Sequence, residues 1–104
     1  MEHKRGDSFD YTATIPGDFA DGYFVGWTVT SQVRNAKTGT LVAELSAAWT
    51  DPAKTRALRL LALDTSTWAL APMKFDVRLR RDSDGYTLST STVLFNLVEG
   101  VTQP

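Results

Sequence analysis

LRLLALDTSTWALAPMKFDVRLRRDSDGY, from Leu58 to Tyr86, decides the fold of this chain. Leu58, Leu60 and Ala62 alternate with Arg59, Leu61 and Leu63, the two-residue period of a pleated strand. Asp64 or Thr65 is suited to cap a one-turn helix through Thr67, Trp68 and Ala69, because a short oxygen-bearing side chain satisfies free N–H groups there. Pro72 ends any such helix by removing a donor and fixing φ. Met73, Phe75, Val77 and Leu79 then alternate with Lys74, Asp76, Arg78 and Arg80, a strand with one dry and one wet face. Asp82-Ser83-Asp84-Gly85 supplies the turn chemistry that closes it.

Upstream the same period recurs. Phe9, Tyr11, Ala13 and Ile15 oppose Ser8, Asp10, Thr12 and Thr14, after six polar residues expected to fray. Pro16-Gly17 and Asp21-Gly22 punctuate a loop. A strand follows with Val25, Trp27, Val29 and Val33 on its apolar side, interrupted there by Ser31. Asn35 to Gly39 reads as a hairpin loop. Leu41 to Trp49 is Ala- and Leu-rich, so helix competes, but the period of two is longer and favours strand. Thr50 to Thr55, with Asp51-Pro52, is a loop. Downstream, the apolar parity shifts between Leu88 and Val93, which predicts either a β-bulge or a change of sheet near Ser89 to Thr92. Gly100 to Pro104 is a tail.

Six to eight strands, one short helical turn and prolines confined to loops predict an all-β fold, an antiparallel Ig-like β-sandwich. At 104 residues it is one domain, residues 1–104, with flexible ends at 1–6 and 100–104. A net charge of −1 supplies no global field for nucleic acid or an acidic membrane surface, and neither is expected as a partner. With no cysteine, the chain has no disulfide, thiolate metal site or cysteine nucleophile. The one histidine, His3, lies in the polar N-terminus, so a nucleophilic Ser or Thr has no base beside it. Enzyme activity, a metal and a cofactor are therefore not expected. Met1 to Arg5 has no apolar segment behind it, so synthesis in the cytoplasm without a secretory signal is expected.

Several local patterns have a plain structural reading. Asp82-Ser83-Asp84-Gly85 looks like the start of a calcium loop, but its twelfth position is Val93 rather than an acid. Arg5-Gly6-Asp7 reads as the lead into the first long strand. Lys74, Arg78, Arg80 and Arg81, joined by Arg59, form a basic stripe whose first reading is a solvated face that discourages edge pairing. Its second reading is a patch for an acidic partner or a nucleic-acid backbone. Trp27 is expected in the core, whereas Trp49 at a strand end and Trp68 on the helical turn are candidates for half-exposed interface anchors. Trp49, Trp68, Arg78 and Arg80 together make the candidate assembly surface.

In order along the chain, Gly6-Asp7-Ser8-Phe9, Thr28 to Arg34, Gly39-Thr40-Leu41-Val42 and Leu60 to Thr65 form one series. It continues through Phe75-Asp76-Val77-Arg78 and Asp84-Gly85 to Val98-Glu99-Gly100-Val101-Thr102. This layout resembles phage and prophage structural proteins with an Ig-like β-sandwich, similar to the N-terminal domain of upper baseplate proteins of tailed phages. The resemblance implies a virion component of tail, baseplate or neck, made in the host bacterial cytoplasm. Such a protein binds other virion proteins and its own copies. It brings no catalytic residues. The first strand, the last strand and the Trp68 turn are the contact surfaces it suggests. The alternative is a carbohydrate-binding β-sandwich that uses exposed tryptophans.

Overall fold

The computed structural model describes residues 1–101. Eight strands follow one another: β1 (Glu2–Lys4), β2 (Phe9–Thr14), β3 (Trp27–Asn35), β4 (Leu41–Trp49), β5 (Ala57–Ala62), β6 (Pro72–Arg81), β7 (Thr87–Ser89) and β8 (Val93–Val98). They form one sheet in the order β1-β8-β6-β3-β4-β5-β2, with β7 also paired to β6. All pairings are antiparallel except β1 with β8. The two ends of that path, β1 and β2, are consecutive in the chain, so the sheet rolls up until it nearly closes like a barrel. The all-β expectation holds, and the described residues contain no helix.

The roll turns on β4. Its first half pairs with β3, from Arg34↔Leu41 to Ser31↔Leu45, and its second half with β5, from Ser46↔Leu61 to Trp49↔Leu58. A strand that changes partners midway turns a corner of the sheet. Ala43 and Ala47 pack against the core from either side of that change, which accounts for the Ala-rich sequence that competes for helix. With the corner made, β2 lies across from β6 and β8. The Phe9 ring sits 5.3 Å from Phe75 and 5.2 Å from Phe95, and Tyr11 sits 5.1 Å from Phe75. Val33, Leu58, Leu60, Met73, Val77, Leu79 and Leu97 complete the buried set. Each such side chain contributes about 1.5–3 kcal/mol by leaving water. Ser31, expected on this apolar face, is buried and donates its hydroxyl to the Asp76 carbonyl at 2.5 Å.

Four expectations are corrected. Residues 1–6 are not a frayed end: Glu2, His3 and Lys4 pair with Asn96, Leu97 and Val98. The pairing is extended by Asn96 N–H to the Met1 carbonyl and Arg5 N–H to the Val98 carbonyl, and the His3 ring packs edge-on to Phe9. The Asp64–Ala69 segment forms no helical turn. Asp64 does cap, accepting from Ser66 N–H at 2.8 Å, but the only bond that follows is a tight turn from Trp68 N–H to the Thr65 carbonyl. Helix nucleation is costly, and the Thr65 hydroxyl is engaged elsewhere. The third strand starts at Trp27, because Ala20 to Gly26 folds as successive turns with Gly22 and Gly26 at positive φ. Arg59 does not join the basic stripe: it lies on β5 and grips Asp10 of β2 through two bonds of 3.0 and 2.7 Å. Of the predicted C-terminal tail, residues 102–104 lie outside the described residues.

Of the two alternatives for the parity shift, the bulge is what forms. β7 and β8 both stay on β6, and the register slips by one residue between Arg78↔Ser89 and Phe75↔Val93. Thr90 fills the gap, exchanging bonds with Val77 through its hydroxyl and its N–H, each at 2.9 Å.

The seam between β1 and β2 is held by one buried side chain. Thr65 Oγ1 accepts from Gly6 N–H at 2.8 Å and donates to the Asp7 carbonyl at 2.7 Å. The Arg5-Gly6-Asp7 tripeptide is thus the tethered turn that joins β1 to β2. Thr65→Val should lower the unfolding free energy by about 1–3 kcal/mol, because the two bonds made by a buried hydroxyl are lost. The exposed Thr67→Val should change it by less than about 0.5 kcal/mol. Urea denaturation followed by tryptophan fluorescence compares the two, and equal effects would show that the seam bonds add no stability.

Candidate functional site

At one end of the rolled sheet three connections meet: residues 16–26, 50–56 and 82–86. The longest is fixed by Arg56, whose guanidinium donates to the carbonyls of Ile15 (2.8 Å), Pro16 (2.7 Å) and Phe19, and pairs with Asp21 at 3.3 Å. Gly22 N–H donates to the Lys54 carbonyl at 2.7 Å, and Phe24 N–H donates to Thr55 Oγ1. Thr55 is held buried in the left-handed region, with φ 50°. The loop is therefore clamped to its neighbour rather than loose. The clamp buries Phe24, which stacks on Trp49 (6.1 Å, 17°) and meets Trp27 edge-on at 5.0 Å.

On that foundation lies an aromatic and arginine patch. The β3–β6 register places Trp27 opposite Arg81. Arg81 is locked by Asp84 through two bonds of 2.9 and 2.8 Å, while Asp84 also accepts from Tyr86 N–H at 3.0 Å. The guanidinium carbon lies 5.5 Å from the Trp27 ring centre and 5.1 Å from that of Tyr86, within cation–π range. Tyr23 and Tyr86 flank Trp27 at 6.1 and 6.2 Å. Tyr23 is 47% exposed and Tyr86 55%, with Val25 of the same loop at 63%. Large apolar rings held in place at a surface, beside an arginine whose charge is already paired, are what a protein partner can bury at low ordering cost. The rings do not share a plane: Tyr23 is tilted 36° and Tyr86 83° from Trp27. They offer no flat platform for a sugar ring.

The candidate surface read from the sequence does not come together. Trp68 is 5% exposed and packs on Phe9 at 6.1 Å, so it is a core residue and presents no anchor. Trp49 is half-buried beneath the end patch. Arg78 and Arg80 are exposed on the outer face of β6, away from both tryptophans along the chain's register. Tyr23, Arg81 and Tyr86 form the patch instead. A signal for it is present in the sequence: Asp-Gly-Tyr occurs twice, at Asp21–Tyr23 and Asp84–Tyr86, and each glycine adopts positive φ (78° and 77°). In both loops the turn ends on an outward tyrosine, and the fold brings the two to either side of Trp27.

The acids of the would-be calcium loop are engaged within the protein, Asp82 with Thr28 Oγ1 at 2.5 Å and Asp84 with Arg81. Among the described residues no group of three or more His, Cys, Asp or Glu is placed to hold a metal ion. No protein-family model matches the chain, and no curated protein is similar to it at a meaningful level.

The hydrogen bonds from Arg81, reinforced by Tyr86 N–H, hold the Asp84 carboxyl well below the usual carboxylate range, at about 2. A depressed acid stabilises the fold above its unfolded pKa and stops doing so as pH falls through its folded value. Acidification from the usual carboxylate range through about 2 should therefore free Arg81 and loosen the 82–86 hairpin. The Arg81 Nε–H resonance reports this directly. Asp84→Asn should weaken the same grip at neutral pH, and an unchanged resonance in that variant would contradict the assignment.

Proposed function

We propose that this chain is a non-enzymatic phage or prophage structural protein, a tail, baseplate or neck component that works by protein–protein assembly. The observation that carries the assembly reading is the pre-organised patch of Tyr23, Trp27, Arg81 and Tyr86, a composition typical of interface hot spots. The phage assignment rests on the sequence resemblance from Gly6-Asp7-Ser8-Phe9 through Val98-Glu99-Gly100. Strand order supports the finer, Ig-like reading of the fold. β2, β5 and the second half of β4 correspond to one side of such a sandwich, and β3, β6 and β8 to the other. In that frame the patch occupies the end of the sandwich where loops present binding residues in related architectures.

The mechanism is mechanical. A rolled sheet with a continuous core acts as a rigid spacer, and the loop end docks on a neighbouring virion protein or on another copy. Virion assemblies are symmetric, so a homo-oligomer or a place in a ring is expected. The protein is then made in the bacterial cytoplasm and carried in the virion.

Light scattering across a wide concentration range should show mass above that of the monomer. The Tyr23→Ser/Tyr86→Ser pair should shift this toward monomer while the protein stays folded by circular dichroism, although the lost ring contacts lower its stability by about 1–3 kcal/mol. A strictly monomeric protein, unaffected by these substitutions, would remove the self-assembly claim. Neighbouring reading frames with no capsid, tail or lysis genes would remove the phage assignment.

A further inference from the structure

The outer face of β6 presents a charge pattern that the end patch does not use. Lys74, Asp76, Arg78 and Arg80 point outward at alternate positions, spaced by about 7 Å along the strand. The ion pairs among the described residues engage Arg56, Arg59 and Arg81, and none engages Lys74, Arg78 or Arg80. Arg34 faces Lys74 across the β3–β6 register and adds a fourth cation. A groove of about 380 Å³ runs over this face from Lys74 to Arg78, walled by Thr30 and Gln32 of β3 on one side and by Ser89 and Thr92 on the other. Arg80 lies beyond its end, with its guanidinium against Gly85 of the 82–86 hairpin. The bulge between β7 and β8 shapes the second wall. Beside Lys74 in the register stands Leu94, 64% exposed.

We infer that this groove binds an extended acidic segment of a partner polypeptide, with carboxylates opposite Lys74 and Arg78 within the groove and a further one opposite Arg80 just beyond its end. The inference rests on the assembly reading above and gives it a second, chemically distinct contact. Three features select a polypeptide. Carboxylates on one face of an extended strand repeat at about 7 Å, the spacing of these cations. Asp76 interrupts the row, so a ligand charged at every unit places a negative charge against it, whereas a peptide can set a serine, threonine or lysine there. Leu94 offers an apolar contact at the Lys74 end, which a side chain can use and a phosphodiester backbone cannot. Hydroxyls of Thr30, Ser89 and Thr92 along the walls suit polar side chains between the acids.

The test uses the whole protein and three labelled probes: an alternating Glu–Thr peptide, its Lys–Thr counterpart and an oligo-dT of matched charge. Fluorescence anisotropy should show the Glu–Thr peptide binding, with affinity falling as salt rises, and the Lys–Thr peptide not binding. Arg78→Glu/Arg80→Glu should weaken the Glu–Thr peptide about tenfold or more while leaving the circular dichroism spectrum unchanged, because both side chains are exposed. Asp76→Asn should raise oligo-dT binding more than peptide binding. Peptide binding that survives the double charge reversal overturns the inference, as does oligo-dT bound more tightly than the peptide by the unaltered protein. No peptide binding at low salt also overturns it. The Tyr23→Ser/Tyr86→Ser protein should bind the peptide normally, so loss of this site and loss of the end-patch assembly are read separately.

Discussion

Phe9 is the first residue of β2, and its ring touches those of His3, Trp68, Phe75 and Phe95. Those partners come from β1, the β5–β6 connection, β6 and β8, which no backbone ladder joins to β2. The hydrogen-bonded path alone is an open ribbon from β1 round to β2, whose ends only residues 5–8 connect. Chain continuity keeps those ends near each other, and the aromatic cluster packs them together. Each ring pair adds about 0.5–1.5 kcal/mol beyond its buried area, and their sum holds the two ends of the ribbon within reach of the Thr65 bonds that tie the seam. Take the ring away and β1, a strand of three residues paired only to β8, loses the packing that keeps it ordered.

Closure of the ribbon explains which parts of the architecture were legible in the sequence. Every long strand announced itself through its period of two, because each has one face on the common core: Phe75, Val77 and Leu79 on β6, and Leu58 and Leu60 on β5. The parity break near Ser89 was equally visible, since a bulge moves every later side chain to the opposite face. What the period cannot show is who pairs with whom. The partner change of β4 leaves its alternation intact, so the corner that rolls the sheet has no local signature beyond small side chains. β1 has no apolar alternation of its own to reveal it: main-chain bonds to β8 and the packing of the His3 ring hold it. Thr65 was read as a cap because its hydroxyl fits that use, but here it serves two backbone groups far away in the sequence.

The candidate site was less legible for a related reason. Trp49 and Trp68 stood out by residue type, yet large rings at strand ends are as useful for sealing a small core as for meeting a partner, and Trp68 is used that way. The functional information lies in the pairing of two loops distant in sequence. Asp21-Gly22-Tyr23 and Asp84-Gly85-Tyr86 are each ordinary turn chemistry. Only the β3–β6 register, which sets Trp27 beside Arg81, makes one surface of them.

β6 is the element on which these roles converge. It pairs with β3, β7 and β8, more neighbours than any other strand has. Its inward residues hold the core, its outward residues carry the cationic groove, and its last residue, Arg81, anchors the end patch. Because side chains alternate strictly across a strand, these duties do not compete for position, and the outward row is free of packing demands. The inward row explains why such a surface stays rigid: Met73, Phe75, Val77 and Leu79 are each at most 3% exposed, so the backbone beneath the outward charges is fixed. Charges on a fixed backbone keep their spacing when a partner arrives. A spacing that persists without the partner can discriminate between an acidic strand and a uniformly charged polymer, which a flexible basic tail cannot do.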